Sequence, residues 1–183
     1  MLVDSNLGVN KANYFIDRQL GLDITFTKEY LVSHHLDVTY ANTASSDAWP
    51  AGNYKNYSRL YLPSGTTIDR VQVGGITLAK DDYELDLEHG KTVLAVYIEV
   101  PISSTIHLEV DYTLALPLPA SSPLYSFYWQ KQPGTDPDPL SVTLNLPLFL
   151  EPELVSPAGD LGNQELNFNL TNISDRRITV KFK

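Results

Sequence analysis

A chain of 183 residues, 43% hydrophobic and 19% charged, is long enough and apolar enough to fold around a core, which excludes a disordered tail. A net charge of -9 with only 13 Lys and Arg excludes the clustered basic surface that nucleic acid or an anionic membrane requires. The absence of cysteine excludes disulfides, thiolate catalysis and cysteine-ligated zinc together.

No apolar run reaches the roughly 18 residues needed to cross a membrane, so no direct insertion is expected. Met1 to Asn6 lack the basic and apolar regions of a signal peptide, so the chain as written does not export itself. Taken in order, the apolar residues repeat every second position. Tyr14, Ile16, Leu20, Leu22, Ile24 and Phe26 share parity and predict one long half-buried strand. After a polar turn at Thr27-Lys28-Glu29, Val32, Leu36, Val38 and Tyr40 repeat the pattern. Asn42 to Asp47 reads as a loop. Trp49-Pro50-Ala51-Gly52 and Leu62-Pro63-Ser64-Gly65 each fit a type I turn, with a short strand between them.

Ile68 to Val73 predicts a strand that turns at Gly74-Gly75 into Ile76-Thr77-Leu78. Tyr83, Leu85 and Leu87 alternate with Glu84, Asp86 and Glu88, and His89-Gly90 is a second hairpin turn. Val93 to Val100 is apolar on both faces and predicts a covered central strand. Ile106, Leu108, Val110, Tyr112 and Leu114 alternate cleanly with polar neighbours. Pro117, Pro119, Ser121, Ser122 and Pro123 make a stiff connector. Beyond it, Tyr125, Phe127 and Trp129 share a face, and Gln132-Pro133-Gly134-Thr135 fits a type II turn. Strands then follow at Val142 to Leu146, Leu166 to Leu170 and Ile178 to Phe182.

Nowhere is the apolar spacing three and four, so no amphipathic helix is predicted. The expected fold is all-β, with little or no helix. It is an immunoglobulin-like β-sandwich of two mainly antiparallel sheets and roughly ten to twelve strands. Residues 1–183 are expected to form a single sandwich domain. The alternative is a sandwich over 1–116 and a smaller β subdomain over 124–183, after the Pro/Ser-rich connector.

The candidate ligand-binding residues are Trp49, Tyr54, Tyr57, Arg59 and Tyr61, within or beside the strand between the two turns. Tyr57, Arg59 and Tyr61 share one face, opposite Ser58, Leu60 and Leu62. Trp, Tyr and Arg are the usual anchors of a binding surface, but the same set serves equally as a cross-strand ladder. His34 and His35 point to opposite faces and cannot chelate together, and His34 reads as a hydrogen-bonded histidine near the core. His107 and Glu109 share a face without a third ligand. The acidic run Asp81 to Glu88 and the pair Asp136 and Asp138 lack the spacing of a calcium loop and read as solvated charge. No Gly-flanked serine or Ser-x-x-Lys pattern marks a nucleophile. Lys131 and Lys181 are not placed for a core cross-link to asparagine. Asn56, Asn169 and Asn172 begin glycosylation-type triplets, to which no role is assigned. No catalytic residue, metal or cofactor is assigned.

Three stretches carry a family resemblance: Asn6 to Phe15, Asn56 to Gly65, and Lys131 to Thr135. In this order they resemble the C-terminal part of the bacterial domain-of-unknown-function family numbered four-zero-one-two, long membrane-anchored surface proteins. The resemblance runs from about Leu2 to Thr135. It implies an excised extracellular portion of a longer membrane-anchored protein and supplies no activity. The resulting expectation is a non-enzymatic extracellular module that serves as a stalk or protein-interaction domain. The alternative is a carbohydrate-binding module that uses an exposed Trp/Tyr/Arg platform. A surface protein or a glycan is the expected partner.

Overall fold

An apolar stripe with period two leaves water as one face of a sheet stacked on another. The computed structural model describes residues 1–27, 31–114 and 124–183. Among them it holds fifteen strands, two short 3-10 turns and no α-helix. The expected Lys28-Glu29 turn and the Pro117–Pro123 connector lie outside the described residues.

The strands form three sheets. The first runs β1 (Leu2–Asn6), β4 (Tyr54–Pro63), β8 (Lys91–Val100), β7 (Glu84–Glu88), antiparallel throughout. The long second sheet runs β13 (Asp160–Gly162), β14 (Glu165–Asn172), β11 (Asp138–Asn145), β2 (Ile16–Phe26), β3 (Val32–Asn42), β9 (Thr105–Leu114), β5 (Thr67–Val73), β6 (Ile76–Thr77). The third is β10 (Leu124–Trp129), β15 (Arg176–Phe182), β12 (Pro152–Ser156). The first and third sheets lie over the same inner face of the long one. Tyr40 of β3 packs near Tyr54 of β4, and Phe26 of β2 makes edge contacts with Tyr125 of β10 and Phe182 of β15. The protein is therefore an all-β sandwich with one contiguous core. β2 and β11 pair in parallel, Leu20 opposite Leu140, so strands before and after the connector share a sheet.

Parity held through most strands. In β3 the even-numbered residues from Val32 to Asn42 are all buried, and in β8 both faces are covered from Thr92 to Val96. Gly74-Gly75 and His89-Gly90 take positive φ, as two-residue hairpin turns require.

Four local expectations change. Ala12–Phe15 forms a 3-10 turn, so Tyr14 lies outside β2 and is 76% exposed. The Trp49 turn sits one residue earlier: Ala51 N–H donates to Ala48 C=O (2.9 Å), across a cis Trp49-Pro50 peptide. The Pro63 turn sits one residue later, with Thr66 N–H donating to Pro63 C=O and Gly65 at φ +80°. Finally, Leu85 and Leu87 of β7 do not enter the core. They lie on the inward side, opposite Leu94 and Thr92, but β7 is the outermost strand and Leu87 stays 72% exposed.

Leu36→Ala, at the centre of β3, is expected to lower unfolding free energy by about 2–5 kcal/mol in urea denaturation. Leu87→Ala is expected to change it by under about 0.5 kcal/mol.

Candidate functional site

β4 has two chemically distinct faces because alternate side chains leave a strand on opposite sides. Tyr57, Arg59 and Tyr61 are half-buried on its outer face, as their parity predicts. Their cross-strand partners on β8 are Tyr97, Ala95 and Val93, so Tyr97 joins the face as a fourth member. The edge strand β7 supplies carboxylates to the same surface. Tyr61 Oη donates to Glu88 Oε2 at 3.0 Å, and Arg59 Nη1 lies 3.9 Å from Glu88 Oε1. Tyr97 Oη donates to Glu99 Oε2 at 3.2 Å. The guanidinium of Arg59 also lies 5.8 Å from the Tyr61 ring centre. A hydrogen bond to Glu84 raises the Tyr57 pKa, and burial followed by the Glu88 bond raises that of Tyr61. All three phenols stay protonated as donors at neutral pH, each with a carboxylate as partner. Glu84 and Glu88 of β7 are thus engaged by side chains of β4 that reach across the intervening β8.

The other two members of the candidate set lie elsewhere. Tyr54 is buried on the inner face of β4, with Asn56, Ser58, Leu60 and Leu62. Its parity matches theirs, and burial followed by the Asp4 charge raises its pKa. Trp49 is 74% exposed in the loop before β4. The five residues therefore do not form one platform.

Behind β4 lies a buried polar centre that the sequence reading did not single out. Arg18 of β2 bridges Asp4 of β1 and Asp138 of β11. Its Nη1 donates to Asp4 Oδ2 at 2.5 Å, while Nε and Nη2 grip both oxygens of Asp138 at 3.1 and 2.7 Å. The three side chains are only 9%, 8% and 7% exposed. Asp4 also accepts from Tyr40 Oη (3.0 Å) and Asn56 Nδ2 (2.8 Å). Gln132 holds the Asp4 backbone from outside, accepting from its N–H (2.9 Å) and donating to its C=O (3.0 Å). Burial acts to lower the Arg18 pKa, but the Asp138 hydrogen bond and the charges of both carboxylates outweigh it and raise it. Burial, followed by the Asp4 charge, holds Tyr40 well above the usual phenol range. One signal was present in the sequence: Asp4, Arg18 and Asp138 all occupy inward positions by parity. Asp138 is thus a buried ion-pair partner and not part of a solvated acidic pair.

The remaining candidates resolve individually. His34 is buried, its Nε2 3.1 Å from Tyr125 Oη and its ring stacked on Tyr112 at 4.5 Å. His35 pairs with Asp111 at 2.6 Å, and His107 with Asp37 at 3.0 Å. Among the described residues, no group of three or more His, Asp or Glu side chains converges as a metal site. Asn56 and Asn172 are buried, so neither is presented as a glycosylation acceptor.

No protein-family model matches the chain, and no curated protein matches it in sequence. Solved structures do. The chain is similar to a putative nutrient binding protein from Legionella pneumophila, at 9% identity and a TM-score of 0.60, over 97% of this chain and 69% of that one. It is similar to yeast LTA4 hydrolase in complex with bestatin, at 10% identity and a TM-score of 0.54. That match covers 93% of this chain and only 29% of the hydrolase. Native LTA4 hydrolase from Saccharomyces cerevisiae gives 11% identity and 0.53, over 94% and 30%. At these identities the likeness defines the fold alone.

Arg18→Ala strands two carboxylates in the interior and is expected to cost about 3–5 kcal/mol in urea denaturation at neutral pH. Arg18→Lys should recover only part of this, because an ammonium lacks the fork that grips Asp138. A second expectation concerns pH. Burial lowers the His34 pKa from 6.5 to about 4. Between those values the unfolded chain binds a proton that the folded one does not, so stability falls as pH drops through this window. The His34 share of the loss is about 3 kcal/mol. Unfolding curves taken across the window should show that share missing in His34→Gln.

Proposed function

We propose that this chain is a non-enzymatic extracellular module of a bacterial surface protein, acting as a protein-interaction or stalk domain of a longer membrane-anchored chain. The observation that carries this reading is the outer face of β4 and β8. It sets Tyr57, Arg59, Tyr61 and Tyr97 side by side on strands whose inner face is tied through Asn56 and Asp4 to Arg18. Tyr and Arg on a rigid support are the side chains that anchor protein partners. Membership of the four-zero-one-two family is part of the proposal. It is supported by the nearness of the three resembling stretches: Asn6 and Asn56, which begin the first two, are cross-strand partners, and Gln132 of the third clasps the backbone of Asp4, two residues before the first. The Legionella protein of similar fold is a putative nutrient binding protein, which is compatible with a binding role without specifying one here.

A second reading, a carbohydrate-binding module, is favoured by the exposed Trp49 ring and by the three phenols on one sheet face. Planar rings stack on sugars, and phenols exchange hydrogen bonds with hydroxyls.

On intact cells carrying the full-length protein, an antibody to this module is expected to bind, and external protease should abolish the signal. Labelling that appears only after permeabilisation would sink the extracellular reading.

A further inference from the structure

The outer face of β4 is internally satisfied: each of its phenols, and Arg59, already has a carboxylate partner. A ligand docking there must displace or share those bonds. The opposite situation exists at the mouth of the buried Arg18 centre. A cleft of about 430 Å³ opens there, bounded by the loop and 3-10 turn after β1 and by the Gln132–Asp138 segment. Its floor is Arg18 with its two carboxylates and the buried Tyr54.

The walls are held in place by bonds that do not face a ligand. Asn6 Nδ2 donates to Asn10 C=O at 3.0 Å, and Asn10 Nδ2 to Asn53 C=O at 3.1 Å. Lys11 N–H donates to Pro50 C=O at 2.8 Å. The Gln132-Pro133-Gly134-Thr135 turn is clamped by Lys131, whose Nζ donates to Thr135 C=O at 2.6 Å. Four side chains lining this cleft stand free. Among the described residues, the Lys11 ammonium, the Asn13 amide, the Tyr14 phenol and the Asp136 carboxylate have no hydrogen-bond or ion-pair partner. Tyr14 is the residue that the 3-10 turn lifts out of β2.

We propose that this cleft is a saccharide-binding site that takes about two pyranose rings of a neutral glycan. A free phenol ring offers a stacking face for the C–H side of a sugar. An amide, an ammonium and a carboxylate supply both donors and acceptors, which is what hydroxyl groups require because each both gives and accepts a bond. The formal charges nearly cancel, Lys11 and Arg18 standing against Asp4, Asp136 and Asp138, so no strong charge is demanded of the ligand. Walls already ordered by their own hydrogen bonds reduce the ordering cost of binding. The proposal rests on the carbohydrate-binding reading for its ligand class, and moves the contact from the tyrosine face to the cleft.

The test is an NMR titration of the ¹⁵N-labelled chain with cellobiose, N,N′-diacetylchitobiose and maltotriose, each up to about 10 mM. At least one probe is expected to shift amides confined to residues 6–14 and 132–138. Tyr14→Ala and Asn13→Ala should each weaken that probe about tenfold, the size of one lost ring or amide contact, with Tm unchanged. Shifts centred on Tyr57, Tyr61 and Tyr97 would overturn the cleft and keep the carbohydrate reading. Silence from all three probes would overturn both, leaving the protein-interaction reading standing.

Discussion

The contact between Arg18 and its two carboxylates ties the architecture together. Asp4 belongs to the short first sheet, and Arg18 and Asp138 belong to neighbouring parallel strands of the long one. One guanidinium thus joins two layers, and it joins strands that precede and follow the proline-rich connector. A buried ion triad is not in itself a source of great stability, because desolvation offsets much of the attraction. What it contributes is registration. The fork grips both oxygens of Asp138, and Asp4 accepts from Arg18, Tyr40 and Asn56, so a sheet shifted by one residue would leave these charges unpaired.

This arrangement also separates two surfaces that composition alone makes look alike. The tyrosine face of β4 and β8 is rich in side chains suited to binding, yet its phenols and guanidinium are taken up by Glu84, Glu88 and Glu99. The cleft above Arg18 is less conspicuous in sequence, with its rim scattered over residues 6–14 and 132–138. Its free groups are available because the walls are held by backbone and amide bonds elsewhere. Residue type suits both surfaces to binding; they differ in that a partner at the tyrosine face must exchange bonds already made, whereas one at the cleft meets groups that are free among the described residues.

Strand edges follow the same logic. Leu87 alternates as regularly as Leu36, but one lies on an outermost strand that no other sheet covers among the described residues, and the other between two strands under a second sheet. Alternation assigns a side of the sheet. Whether anything covers that side depends on strands far away in the chain.

The sequence by itself determined that the chain is built of strands, which side of each strand faces inward, and where glycine pairs reverse it, because side-chain parity and φ preferences are local properties. It also carried, unexploited, the inward parity of Asp4, Arg18, Asp138 and Tyr54. Only the tertiary structure decided that those three charges meet, that β11 inserts beside β2, and that the first and third sheets share one inner face. Charges some 120 positions apart find each other only through strand order, and strand order is set by which faces can be buried together, a property of the whole molecule that no local pattern encodes.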